Sequence, residues 1–282
     1  MPVEQQERFG ARLTRAIEAR GRLCVGVDPH RELLESWGLS YDAEGLQRFA
    51  DICVEALAPE IAVLKPQSAF FEVFGSRGVA VLEDFINRAR EAGTLVLLDA
   101  KRGDIGSTMA GYAEAFLGES AVAPADALTV SPYLGFGSLE PALAVAEATG
   151  RGLFVLALTS NPEGASVQRA TAASGRPVAE EIALAAARRN AGVSPLGDVG
   201  LVVGATIGSV GFDLGALNGP ILAPGLGAQG ATPSDLQTVF GDHYRSVLPT
   251  TSRGVLRHGP DVNSLRSAAL AARDELLSAE TR

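Results

Sequence analysis

The chain has 282 residues, 46% of them hydrophobic, and a formal net charge of −9. That length can bury a full core in one large domain, and apolar residues spread evenly along it exclude an extended disordered chain. The acidic balance argues against a nucleic-acid partner, which needs clustered Lys and Arg, and no apolar run is long enough to make a transmembrane helix.

The polar start Met1–Arg8 is unlike a secretory signal, and Cys24 and Cys53 make no disulfide framework, so the cytoplasm is expected. One count stands out. The 24 basic residues include two lysines, Lys65 and Lys101; all the others are arginine.

In chain order, residues 4–20 read as a helix ahead of the first strand. Continuous apolar runs then recur as Leu23–Asp28, Ile61–Lys65, Thr94–Asp99, Ala127–Val130, Leu153–Leu158, Gly200–Gly204, Ile221–Pro224 and, weakest, Ser246–Thr251. Unbroken runs of this kind mark strands buried on both faces of a parallel sheet. Between them, residues 44–58, 78–92, 138–149, 178–191 and 262–278 carry apolar positions at spacings of three and four, with Arg and Glu opposite, as amphipathic helices do. Gly21 and Gly93 stand where helices should stop. This alternation predicts a single (β/α)8 TIM barrel over residues 1–282 with an extra N-terminal helix; a doubly wound sheet is the alternative. The Ala-, Gly- and Ser-rich stretch 161–177 reads as a long mobile loop.

Barrel enzymes build their sites at the C-terminal ends of the strands, and polar residues collect there. Asp28 ends the first strand, Lys65 the second, and Asp99 and Lys101 the third. Thr159-Ser160-Asn161 follow the fifth, Gly225–Gly230 the seventh, and Arg253-Gly254 the eighth. Residues 99 and 101 are two apart, which on a regular strand puts them on one face. Asp104 lies in the turn beyond, and Asp104, Ser107 or Thr108 could cap the helix that follows. Together Lys65, Asp99, Lys101 and Asp104 could form an alternating array of charges. Lysine can release a proton at accessible pH, which arginine cannot, so two lysines kept at strand ends point to chemistry. The glycines of 225–230 would let backbone approach a phosphate, and Arg253 offers a planar fork for its oxygens. His30, His243 and His258 lack metal-ligand spacing. Cys24, Trp37 and Phe70-Phe71 read as packing residues.

The segment Asp99-x-Lys101-x-x-Asp104-Ile-Gly-x-Thr108 resembles the signature of the orotidine 5′-phosphate decarboxylase family. The resemblance extends to Leu23–Asp28-Pro, Val63-Leu-Lys65-Pro-Gln, Thr159-Ser160-Asn161-Pro, Ala223–Gly230 and Ser252-Arg253-Gly254, and the Lys65-Pro-Gln form is similar to the family's longer bacterial branch. It implies decarboxylation of orotidine 5′-monophosphate, a nucleotide, to uridine 5′-monophosphate without metal or organic cofactor. It also implies that Lys101 stabilises and protonates the C6 carbanion, and that Asp99 faces the substrate carboxylate. Lys65 and Asp28 would hold the ribose, Ser160 the pyrimidine edge, and Gln229, Gly227, Arg253 and Gly254 the phosphate. A homodimer is implied as well, with Asp104, Ile105 and Thr108 reaching the neighbouring subunit's site. Metal-dependent sugar-phosphate enzymes of the same superfamily carry an acidic metal ligand at the end of strand two, where this chain has Lys65. A Schiff-base aldolase and a phosphate-binding protein on the same barrel are the rival functions.

Overall fold

Cys24 on the first strand, Phe154 on the fifth and Leu248 on the eighth point to one axis, and the other strands converge on it in the same way. A computed structural model describes residues 6–227 and 230–280. Eight parallel strands close a barrel in chain order: β1 Cys24–Val27, β2 Val63–Pro66, β3 Leu95–Arg102, β4 Ala127–Val130, β5 Gly152–Leu158, β6 Val199–Val203, β7 Ile221–Pro224 and β8 Val247–Thr251. The first strand pairs with the second and, to close the ring, with the eighth. The expected (β/α)8 barrel is therefore the observed one, and the doubly wound alternative is excluded by closure.

Period-two alternation builds the interior. Each strand gives one residue to an inner cluster: Cys24, Val63, Leu97, Ala127, Phe154, Val202, Leu222 and Leu248. Alternate strand residues face outward into a larger core shared with the surrounding helices. Those helices include Ala43–Leu57, Gly75–Glu91, Glu140–Ala148, Val178–Asn190 and Val262–Glu280, close to the expected bounds. The Asp42 side chain caps the first of them by accepting from the Gly45 amide at 2.9 Å. Gly21 and Gly93 take left-handed φ angles of 74° and 86° just past their helices, the stop that only glycine makes without a Cβ clash.

The N-terminal helix runs Phe9–Arg20, shorter than the expected 4–20, of which residues 4 and 5 lie outside the described residues. It plugs the N-terminal end of the barrel. Phe9 and Leu13 join the inner cluster, and the Phe9 ring stands edge-on to Phe154 at 6.0 Å. A Cβ on Gly152 would meet that ring at 2.3 Å, so glycine there makes room for the plug. Arg12 pairs with Asp126 at 2.6 Å, and the Gly10 amide donates to Asp198 at 2.8 Å.

Segment 161–177 is more organised than a plain loop. It holds a 3-10 turn at Pro162–Gly164, a helical turn at Ala165–Gln168 and a bridge between Thr171 and Pro177. The Gln168 side chain accepts from the Thr159 amide at 2.9 Å and donates to Thr159 Oγ1 at 2.7 Å, tying the segment to the end of β5. Among the described residues no helix is long and apolar enough to cross a membrane.

Candidate active site

Two residues beyond the inner cluster, the same alternation brings a second layer inward at the C-terminal end. There the side chains change character: Lys65 on β2, Asp99 on β3, Thr129 on β4 and Thr250 on β8 replace the aliphatic layer, with Leu156 on β5 between them. This layer floors a cavity of about 1260 Å³ open to that end, whose walls include Asp28, Gln67, Lys101, Ser160, Gly227, Arg253 and Gly254. A concave cavity with convergent polar groups is what a small-molecule site requires.

Asp99 is the hub. Its Oδ2 accepts from Lys65 Nζ at 2.9 Å, and its Oδ1 accepts from Lys101 Nζ at 2.6 Å and from Thr129 Oγ1 at 2.9 Å. Burial alone would raise the Asp99 pKa. The two ammonium groups outweigh it and hold the carboxyl well below the ordinary carboxylate range. Burial also works against the charge on Lys65, but Asp99 and Asp28 more than offset it, so its pKa lies above the usual lysine value. The buried part of the cluster is therefore ionised at neutral pH. Asp28 is buried beside it, and its Oδ1 has no hydrogen-bond partner among the described residues. A buried polar atom without a partner is costly; this one borders the cavity.

Lys101 reaches Asp99 by a route that the two-residue spacing did not foresee. The β3–β4 register slips, with Leu98 opposite Leu128 and Arg102 opposite Val130. Within this bulge Lys101 adopts φ 49°, a left-handed conformation that costs a residue with a Cβ on the order of 1–2 kcal/mol. The Lys101 amide donates to Thr129 Oγ1 at 3.0 Å. The side chain that results is half-exposed in the cavity wall, whereas Lys65 is buried.

The structure gathers Lys65, Asp99 and Lys101, with Asp28 near, but not the fourth expected charge. Asp104 accepts from the Ile105 amide at 2.8 Å and is absent from the cavity wall. Ile105 and Thr108 are exposed outside the cavity. The cap differs from expectation too: Ile105 is the N-cap residue and makes no side-chain cap, and Ser107 and Thr108 lie inside the first turn of the helix Gly106–Leu117. Ser160, Gly227, Arg253 and Gly254 all border the cavity, with Gly227 at φ 75°. Gln229 lies outside the described residues.

Sequence reasoning missed several wall residues. Thr129 sits in the short run Ala-Leu-Thr-Val, where threonine passes as a strand former; its inward parity was the available signal. Phe70 lines the cavity, its ring 4.1 Å from that of His30, instead of packing in the core as Phe71 does. Trp37 and Cys24 are buried as expected.

Residues 21–268 match the sequence profile described as the Orotidine 5′-phosphate decarboxylase / HUMPS family. The chain belongs to that family. Among its relatives, an orotidine 5′-phosphate decarboxylase of Streptomyces coelicolor is 63% identical over 264 residues, covering 93% of this chain and 95% of that protein. One of Salinispora arenicola is 63% identical over 263 residues, with the same coverage. A solved structure from Streptomyces avermitilis shares 59% identity, covers 100% of this chain and 99% of its own, and matches with a TM-score of 0.97. The structure of Leishmania donovani OMP decarboxylase matches at 28% identity and a TM-score of 0.74, covering 98% of this chain and 99% of that one. The family takes in both decarboxylase and sugar-phosphate branches. In this member Lys65 stands at the end of β2 with its ammonium on Asp99, a position where a divalent cation would meet a positive charge.

Proposed function

We propose that this protein decarboxylates orotidine 5′-monophosphate to uridine 5′-monophosphate and CO2, the last step of de novo UMP synthesis, using charged side chains in place of a metal or organic cofactor. The observation that carries this reading is the Lys65–Asp99–Lys101 cluster in the cavity wall. The relatives named above carry the same activity in their names.

The chemical problem is a carbanion at pyrimidine C6. The bond from C6 to the carboxylate breaks, its electron pair stays on C6, and CO2 leaves. On this reading the Lys101 ammonium stabilises that pair as the bond breaks and then gives C6 a proton; solvent restores the lysine. The charge is in place beforehand, so the transition state gains stabilisation without reorganisation. Asp99 stays ionised beside the substrate carboxylate. The crowding of two anions disfavours the ground state and is relieved as CO2 departs.

Lys65 and Asp28 hold the ribose hydroxyls, and Asp28 Oδ1, without a partner among the described residues, is suited to accept from one. Ser160 binds the pyrimidine edge. Arg253, Gly227, Gly254 and Gln229 hold the phosphate, whose remote binding energy can drive closure of the 161–177 segment. The protein works as a cytoplasmic homodimer in which Asp104, Ile105 and Thr108 complete the neighbouring subunit's site. Ile105 is exposed, as a residue that reaches a neighbouring subunit must be.

A spectrophotometric assay with orotidine 5′-monophosphate tests the activity: steady loss of the orotate chromophore with formation of uridine 5′-monophosphate is expected, and no turnover refutes it. Prior treatment with EDTA should leave the rate unchanged. A metal requirement would move the protein to the sugar-phosphate branch of its family.

A further inference from the structure

We propose that Thr129 is a positioning residue for the decarboxylation, tying the Asp99 carboxylate to the backbone of Lys101 through a single hydroxyl. This rests on the reading that Lys101 supplies the proton. The hydroxyl has one proton to donate and lone pairs to accept. Ionised Asp99 can only accept, so Thr129 donates to its Oδ1 at 2.9 Å. The Lys101 amide can only donate, so it takes a lone pair of the same oxygen at 3.0 Å. The two neighbours thus fix the hydroxyl in one orientation, and the hydroxyl fixes them relative to each other.

The setting explains why such a tie is needed. Lys101 sits in a bulge at φ 49°, a conformation its neighbours must hold in place. Thr129 is buried on β4 with a β-branched side chain that is stiff about χ1, so its oxygen has a defined place. On the other side of Lys101, the Ser131 amide donates to the Arg102 carbonyl at 2.8 Å. A Cβ on Gly103 would meet the Ser131 carbonyl oxygen at 2.4 Å, so β3 and β4 are also in close contact just past the bulge. Arg102 pairs with Glu72. The backbone of Lys101 is thereby clamped on both sides, and its ammonium group starts from a fixed root. Preorganised charge of this kind lowers the barrier without adding ground-state affinity.

Three variants test it: Thr129→Val, which keeps the shape and loses the hydroxyl; Thr129→Ala, which loses both; and Thr129→Ser, which keeps the hydroxyl. For each, kcat and KM for orotidine 5′-monophosphate, the Kd for uridine 5′-monophosphate and Tm are measured, with Lys101→Ala alongside. Val and Ala should lower kcat about 10- to 100-fold, the range for losing a hydrogen bond to a charged group. KM and Kd should stay within about threefold, and Ser should retain kcat within about threefold. If the Val variant fails to fold, the contrast between Ala and Ser decides. The proposal is overturned if Val and Ala keep kcat within about threefold of the parent, if Ser is as impaired as Val, or if the loss lies in KM and Kd alone. Turnover by Lys101→Ala would refute the reading of Lys101 itself; an inactive Lys101→Ala beside a fully active Thr129→Val refutes only the role of Thr129.

Discussion

Each end of the barrel buries an aspartate between two cations, and the two ends use different cations. At the N-terminal end Asp126 accepts from Arg12 at 2.6 Å, from Arg90 at 3.3 Å and from the Val96 amide at 2.9 Å. At the C-terminal end Asp99 accepts from Lys65, Lys101 and Thr129. The arginines use their planar forks to span parts of the structure: Arg12 also donates to the Gly150 carbonyl at 2.9 Å, holding the plug helix to the barrel floor. The lysines are point charges, one buried and one left half-exposed in a cavity. At the plug both oxygens of Asp126 and of Asp198 are partnered; at the cavity Asp28 Oδ1 and Ser252 Oγ are buried without partners among the described residues. The first arrangement closes a structure. The second leaves polar atoms of the cavity lining unmet among the described residues.

Exchanging the cations should break this comparison most sharply. Lys101→Arg keeps the charge but cannot release a proton, so kcat should fall by about 10⁴-fold, the upper range for a lost general acid; steady-state kinetics decide, and near-parental turnover would leave charge alone as the requirement. Asp99→Asn should next destabilise the fold by about 3 kcal/mol, because it leaves Lys65 buried and short of its main partner. The pH dependence has a definite sign. Asp99 has a depressed folded-state pKa, so its contribution is present above about pH 4 and is lost as pH falls below that. Denaturant unfolding across the acid range should therefore show the parent converging on the Asn variant at low pH; a constant gap would remove the ion pairs as the cause.

Arg253→Ala should weaken uridine 5′-monophosphate by about 100-fold, as expected for losing a charge-assisted phosphate contact, while leaving uridine little changed. Titration of both ligands checks it, and equal weakening would take Arg253 out of the phosphate site. The smallest effect is expected at the plug. Arg12→Lys keeps one of two contacts and should cost about 1 kcal/mol of stability with kcat unchanged; a change in turnover would mean that the two ends are coupled.

Much of this was readable from the sequence because burial on both faces leaves unbroken apolar runs. Ala127–Val130 and Ile221–Pro224 were legible to the residue, and the polar residues closing the runs marked the end where the cavity opens. Other parts left no such trace. The helices Arg31–Ser36 and Ser68–Glu72 are too short to display a 3.6-residue period. Pro233–Phe240, at eight residues, also left no clear period, although its Thr232/Asp235 capping box was there to be read. The bulge in β3 was invisible because a lysine, not a glycine or asparagine, takes the left-handed position, and what holds it there is a threonine on the next strand. Asp104 carries the family signature yet stands away from the cavity of its own chain, which no spacing argument within one chain could anticipate.

The most direct test is turnover of orotidine 5′-monophosphate by Lys101→Ala, measured beside the parent at matched Tm. The variant should be a fully folded protein that binds uridine 5′-monophosphate and fails to decarboxylate. Substantial decarboxylation by that variant would contradict it.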